Sequence, residues 1–284
     1  MKRNALLTLT AATALFFAFL PVSCIVLPSE DPNNEQVDPD DPANPDNPGN
    51  TGGTDNPNNS GTTSYNGIGL PTPKPEDPIK AEVTGDIDPE TFDAQASSIV
   101  TFSRIPYSLD EFKDVYAKIG GTPAGAVAVQ LMAMEMYHRQ HDVGLEALTL
   151  CNTKGNMQQR YGDQLNQLFK PNDKTDYARP YQVASFLKGA NYKNGYLPET
   201  PYTIEVKTNA SKPYAWSNDY EAYVIYLTIT QNVKEENGPA VTTRKQAVNV
   251  LRAAGKEQFQ VFEGAGLITQ CVKISATATY TDLK

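Results

Sequence analysis

The chain has 284 residues, 39% hydrophobic and 20% charged, with a net charge of −9. The excess acid is local: residues 25–78 hold ten acids against one lysine, and Lys2 and Arg3 stand at the start, which leaves residues 79–284 at −2. A folded part so close to neutral lacks the basic surplus of a nucleic-acid binder, and the acidity of the whole chain argues nothing about a cationic ligand of that part.

Lys2-Arg3 followed by the apolar run Ala5–Leu20 has the form of an export signal. At 16 residues the run is shorter than the ~20 that a bilayer-spanning helix needs. Pro21-Val22-Ser23-Cys24 follows, and the whole resembles a bacterial lipoprotein signal. The resemblance implies a signal peptide over 1–23, a lipid on Cys24, and a protein held on a membrane, the outer membrane in a Bacteroides-type envelope. Ser23 fits the small residue that such a box puts before the cysteine. Pro21 stands where the box has leucine, with Leu20 one place early, so cleavage with release and an uncleaved anchor are the alternatives. Each buried methylene contributes about 0.8 kcal/mol, so two or more acyl chains hold durably.

Residues 28–64 are built from Pro, Asp, Asn, Gly, Thr and Ser, with repeated Asp-Pro and Asn-Pro pairs. Almost nothing there can be buried to offset ordering entropy, so the segment from Cys24 to 78 is expected to be a disordered linker. Its prolines and like charges favour extension, as a stalk or as a solubilising spacer. Glu30 and Asp31 resemble the surface-export tags of Bacteroides-type lipoproteins.

Residues 79–284 are expected to form one domain. Ser97–Phe102 reads as a short strand. Ser108-Leu109-Asp110-Glu111 is a capping box with Glu111 reaching back to its cap, and Leu109, Phe112, Val115, Tyr116 and Ile119 follow at helical spacing until Gly120-Gly121. Thr122-Pro123 opens a second helix through Tyr137, apolar on more than one side and therefore central. Asp142 is placed to cap a third, through Leu145, Leu148 and Cys151. A fourth runs from about Asn156 to Phe169, and 181–187 reads as a short fifth.

Beyond Gly189 the pattern becomes β-like. Strands are expected over 202–208, 222–230, 247–251, 258–262 and 271–280, with Ala254-Gly255-Lys256 as a hairpin turn. Helices first and strands after imply α+β: four to five helices packed on an antiparallel sheet of about five strands.

Three constellations carry candidate chemistry. Glu135, His138, His141 and Asp142 share the end of the second helix, where spacings of three and seven point to one face and hence to a metal; a polar helix end meeting solvent is the alternative. Cys151 and Cys271 remain once Cys24 is lipidated, and an exported domain permits their disulfide, though two buried thiols also pack simply as small apolar groups. Tyr214, Trp216, Tyr220 and Tyr223 cluster around Lys212-Pro213. Such aromatics can stack on sugar rings or grip a peptide, or they can flank a buried strand with Trp216 plugging a loop onto the core. The junction at 176–196 is loop-rich and suits a groove. Gly264-x-Gly266 lacks the dinucleotide spacing, and neither a nucleophile elbow nor a spaced carboxylate pair is present. No catalytic residue and no cofactor is implied.

Two stretches, Tyr107-Ser-Leu-Asp-Glu-Phe-Lys through Gly121-Thr-Pro-Ala-Gly-Ala-Val-Ala and Phe186-Leu-Lys-Gly-Ala through Asn194-Gly-Tyr-Leu-Pro and Pro201-Tyr-Thr-Ile, resemble an uncharacterised family of gut-bacterial exported domains. The resemblance spans roughly 105–275. It implies bacterial origin, export and one α+β domain, and it assigns no activity to any residue. The expected function is a membrane-tethered, non-enzymatic binding or accessory module of the envelope with a glycan or peptide ligand. A metal-dependent envelope enzyme and a component of a surface assembly are the alternatives.

Overall fold

The structure, a computed structural model, describes residues 67–284 except 73, 89, 92, 171–177 and 235–240. Cys24, the signal segment and most of the acidic linker lie outside the described residues. No helix among the described residues is long and apolar enough to cross a membrane.

The elements run β1 (Ala81–Gly85), β2 (Ser97–Phe102), α1 (Leu109–Ile119), α2 (Pro123–Arg139), α3 (His141–Cys151), α4 (Gln159–Phe169), β3 (Tyr202–Thr208), β4 (Tyr214–Ser217), β5 (Ala222–Lys234), β6 (Val241–Leu251) and β7 (Gln260–Glu263). The strands form one antiparallel sheet in the order β1-β2-β3-β5-β6-β7, and β4 also pairs with β5. The fold is therefore α+β, with the helices on the N-terminal side of the domain. The sheet has seven strands among the described residues rather than about five. β1 had no signal, because Ala-Glu-Val-Thr-Gly offers only two apolar side chains beyond its glycine.

Helix α2 is the centre of the core. Every one of its residues is buried, and it packs on α1 and α3 and on β2, β3, β6 and β7. Small residues make that possible: Ala124, Gly125, Ala126, Ala128 and Ala133 let neighbours approach from several sides. Thr122 caps it, its Oγ1 accepting from the Gly125 N–H at 3.0 Å, with Pro123 in the first turn. Strand alternation supplies the other wall: Tyr202, Ile204 and Val206 on β3, and Ile225, Leu227 and Ile229 on β5, all point inward.

Several local expectations are corrected. Ser108 caps α1, accepting from the Glu111 N–H at 3.3 Å, but the Glu111 carboxylate does not return to the Ser108 backbone. It accepts from the Tyr107 N–H at 2.7 Å and takes a two-pronged bond from Arg104 at 2.8 and 3.0 Å. A buried guanidinium competes better for a carboxylate than a cap N–H does. Helix α3 begins at His141, with Gln140 at its cap position, so Asp142 lies in the first turn and caps nothing. Helix α4 begins at 159 rather than 156, because the Asn156 side chain is used in tertiary bonds, donating to Asn152 Oδ1 at 2.6 Å and accepting from the Gly264 N–H at 3.3 Å. The short fifth helix is one 3-10 turn, Ala184–Phe186.

Segment 271–280 is not a strand. Its backbone groups find side chains instead of a neighbouring strand. Gln182 accepts from the Cys271 N–H at 3.1 Å, the Tyr196 hydroxyl donates to the Val272 carbonyl at 2.7 Å, and Tyr181 accepts from the Ile274 N–H at 3.2 Å. At the other end, the N–H groups of Ile68 and Gly69 bond to the His138 and Arg139 carbonyls at the end of α2, upstream of the boundary expected at 79.

Candidate binding site

The aromatic cluster is a product of strand register. In the β4–β5 pairing Trp216 lies opposite Tyr223 and Tyr214 opposite Ile225. Alternation then puts Tyr214, Trp216 and Tyr223 on the same face as Ile225, Leu227 and Ile229. The last three are buried, whereas Tyr214, Trp216 and Tyr223 are 41%, 53% and 44% exposed. The core-facing side of the sheet thus continues past its cover and emerges as three aromatic rings. Tyr223 sits between the others, 5.7 Å from Tyr214 and 5.0 Å from Trp216, at interplanar angles of 78° and 76°. Trp216 does not plug a loop onto the core. Tyr220 leaves the group and packs edge-on against Phe262 at 5.3 Å.

Beside Trp216 and Tyr223 opens a pocket of about 380 Å³, within the roughly 300–1,000 Å³ range of small-ligand sites. Ile225 and Phe259 give it an apolar floor, and Glu90, Glu221 and Arg252 bring charge to its rim. These residues come from the β1–β2 loop, the β4–β5 turn and the β6–β7 connection. Arg252 lies over the Phe259 ring at 5.1 Å. Glu221 holds a left-handed backbone at φ 47°, a conformation that costs a non-glycine residue roughly 1–2 kcal/mol. Among the described residues, the charged heads of Glu90, Glu221 and Arg252 enter no hydrogen bond or ion pair, so their polar capacity faces the pocket and solvent unspent.

A second hollow of about 420 Å³ lies by the expected junction groove, lined by Lys188, Gly189, Glu205 and Asn232 among others. Its polar groups are already engaged: Lys188 pairs with Glu199 at 3.0 Å, Glu205 with Lys207 at 3.1 Å, and Asn232 donates to the Leu187 carbonyl at 3.0 Å.

The other two constellations separate or go inert. Glu135 is fully buried and pairs with Arg139 at 3.3 Å, with the His138 ring at 3.6 Å, while His138 stacks on Phe169 at 4.9 Å. His141 turns the other way, to the exposed Asp142 at 2.9 Å. Among the described residues no group of three or more His, Cys, Asp or Glu is placed to hold a metal ion. The four expected ligands are therefore not brought together: spacing put them on one helix, but α2 ends at Arg139 and the chain turns at Gln140. The disulfide is also overturned. Cys151 and Cys271 are both free and buried. Cys151 bonds to Gln130 Oε1 at 3.3 Å within an amide network that includes Asn152 and Tyr161. Burial pushes both thiols up, that of Cys271 to about 12, so neither is a thiolate nucleophile near neutral pH.

Sequence reasoning singled out Tyr214, Trp216 and Tyr223, which the fold gathers beside the first pocket, and did not single out Glu90, Glu221, Arg252 and Phe259, which line it. Arg252 did stand at the expected hairpin turn, and Glu221 one residue before a predicted strand. Nothing in the linear order joins them to Glu90.

No curated protein and no solved structure matches the chain. The profile of a family described as a domain of unknown function, DUF6935, matches residues 104–275, more than half of the chain and the stretch from Arg104 through α1–α4 to the end of the sheet, so the protein belongs to the DUF6935 family.

Proposed function

We propose that the protein is an exported lipoprotein of the bacterial envelope, lipidated at Cys24 and carried on its acidic linker, whose α+β domain is a non-enzymatic binding module. The reading of the N-terminus rests on Lys2-Arg3, the apolar run and Ser23-Cys24, with the acidic stretch immediately downstream. The observation that carries the binding role is the trio Tyr214, Trp216 and Tyr223, exposed in a single cluster of which Trp216 and Tyr223 line a pocket. Exposed aromatics clustered beside a concave site supply contact area at low entropy cost and are the common anchors of recognition.

Screening the mature protein against oligosaccharide and peptide arrays tests the module, with Trp216→Ala in parallel. Capture by the wild type and loss in the variant is the expected result. A wild type that retains nothing on either array removes the reading. Mass spectrometry of the mature N-terminus tests the anchor independently: an acylated Cys24 is expected, and a free amine on a later residue rules it out.

A further inference from the structure

We infer that the pocket beside Trp216 takes a neutral saccharide of one or two rings, a conclusion that rests on the binding-module reading and gives its ligand a chemistry. The rim holds two carboxylates, Glu90 and Glu221, and one guanidinium, Arg252, whose heads enter no hydrogen bond or ion pair among the described residues. These three residues are exposed, and a hydrocarbon ligand would displace water from the sides it covers while offering their heads no hydrogen bond in return. An anionic ligand would meet both carboxylates, and a cationic side chain would meet Arg252. A polyol brings no charge. Its hydroxyls donate to the carboxylates and accept from the guanidinium, and bonds to ionised groups are the stronger kind.

The apolar wall fits the same chemistry. Trp216 and Tyr223 meet at 76°, forming a corner in which the C–H face of a sugar ring lies on one aromatic ring with the other closing its side. Arg252 is held over Phe259 at 5.1 Å, which orders the guanidinium before a ligand arrives and lowers the entropy cost of using it. The strained backbone of Glu221, at φ 47°, fits a residue kept for its carboxylate at a position that glycine would fill more cheaply. The volume, about 380 Å³, suits a short unit or a chain end.

Trp216 is the single tryptophan of the chain, beside 15 tyrosines, so tryptophan emission excited selectively over tyrosine reports on this pocket alone. The test titrates the full mature chain with neutral oligosaccharides (gluco-, manno-, galacto- and xylo-series), with uronic-acid oligosaccharides and with lysine-rich and proline-rich peptides. Emission and acrylamide quenching are followed, and calorimetry is run on Glu221→Gln, Arg252→Ala and Trp216→Ala. A neutral sugar is expected to shift the emission and shield Trp216. Trp216→Ala is expected to weaken binding at least about tenfold, and Glu221→Gln and Arg252→Ala each several-fold, with circular dichroism unchanged. Uronic acids bound in preference overturn the neutrality. Trp216-dependent binding of a peptide and of no sugar overturns the saccharide while leaving the binding module standing. Sugar binding that none of the three substitutions alters removes the pocket. Silence toward every probe removes both this inference and the reading beneath it.

Discussion

Gly144→Ala and Gly162→Ala form a matched pair with opposite expected signs. Both glycines lie inside helices, α3 and α4, where alanine ordinarily gains about 0.5–1 kcal/mol. A Cβ at Gly144 would stand 2.1 Å from the Tyr137 Cα and N and 2.6 Å from the Met136 carbonyl carbon. Those atoms are backbone of α2, which is buried along its whole length and has no free side on which to yield. Overpacking of this kind costs about 3 kcal/mol, so after the propensity gain the net loss is about 2 kcal/mol. At Gly162 nothing lies within 4 Å of the added carbon, and the whole propensity gain survives. For a domain of this size roughly 2–4 °C of Tm accompanies each kcal/mol. Thermal and urea unfolding followed by circular dichroism should therefore show Gly144→Ala about 4–8 °C below the wild type and Gly162→Ala about 1–4 °C above it. If Gly144→Ala matches or exceeds the wild type, α3 does not cross α2 in contact at this residue and the packing of the core is wrong.

Four further outcomes are expected. Glu111 is held below its ordinary value of 4.5 chiefly by the Arg104 guanidinium, so its pairing stabilises the fold above that value and is lost as pH falls through the lower folded value. Glu111→Gln should cost about 1–3 kcal/mol near neutrality in urea unfolding and flatten the decline of stability below about pH 4.5; an unchanged acid limb would refute the pairing. Gln130→Leu takes from the Tyr161 hydroxyl the Gln130 amide that donates to it at 2.8 Å and from Asn152 Nδ2 one of its acceptors, at 2.6 Å, leaving it the Leu148 carbonyl at 2.7 Å, and should lower stability by about 2 kcal/mol; a loss under about 1 kcal/mol would mean that the network is not closed. Ellman's reagent should find neither Cys151 nor Cys271 in the native protein and both after unfolding without reductant; a thiol-free unfolded domain would restore the disulfide. Glu221→Gly should raise stability by about 1 kcal/mol through release of the left-handed strain while weakening sugar binding, and a variant that is less stable would show that Glu221 is held by something other than its turn.

Legibility followed the range of each interaction. The helices could be read because their signals are local: Ser108 and Thr122 each sit within three residues of the N–H they accept from. Strand 202–208 declared itself by alternation that the buried face of β3 reproduces, and 222–230 by its run of β-branched and aromatic residues, which lies within β5. The failures share one cause. Glu111 turned to Arg104, Asn156 to Asn152 and Gly264, and the backbone of 271–280 to Gln182, Tyr181 and Tyr196. In each case a tertiary partner outbid the local one. β1 and β4 formed as outer strands, where a neighbour's backbone supplies what weak propensity does not.

The sequence by itself determined the division of charge, the α+β order of elements, the central place of α2 and the aromatic identity of the hairpin from Tyr214 to Tyr223. Only the tertiary structure decided which of those aromatics act together. Register against β5 sent Trp216 and Tyr223 out along the core face and Tyr220 away to Phe262. The tertiary structure also brought Glu90, Glu221 and Arg252 to one rim and left Cys151 and Cys271 as separate buried thiols, and the turn at Gln140 between α2 and α3 parted Glu135 from His141. The physical reason is that periodicity fixes the face on which a side chain lies, while pairing between strands distant in sequence fixes what that face meets.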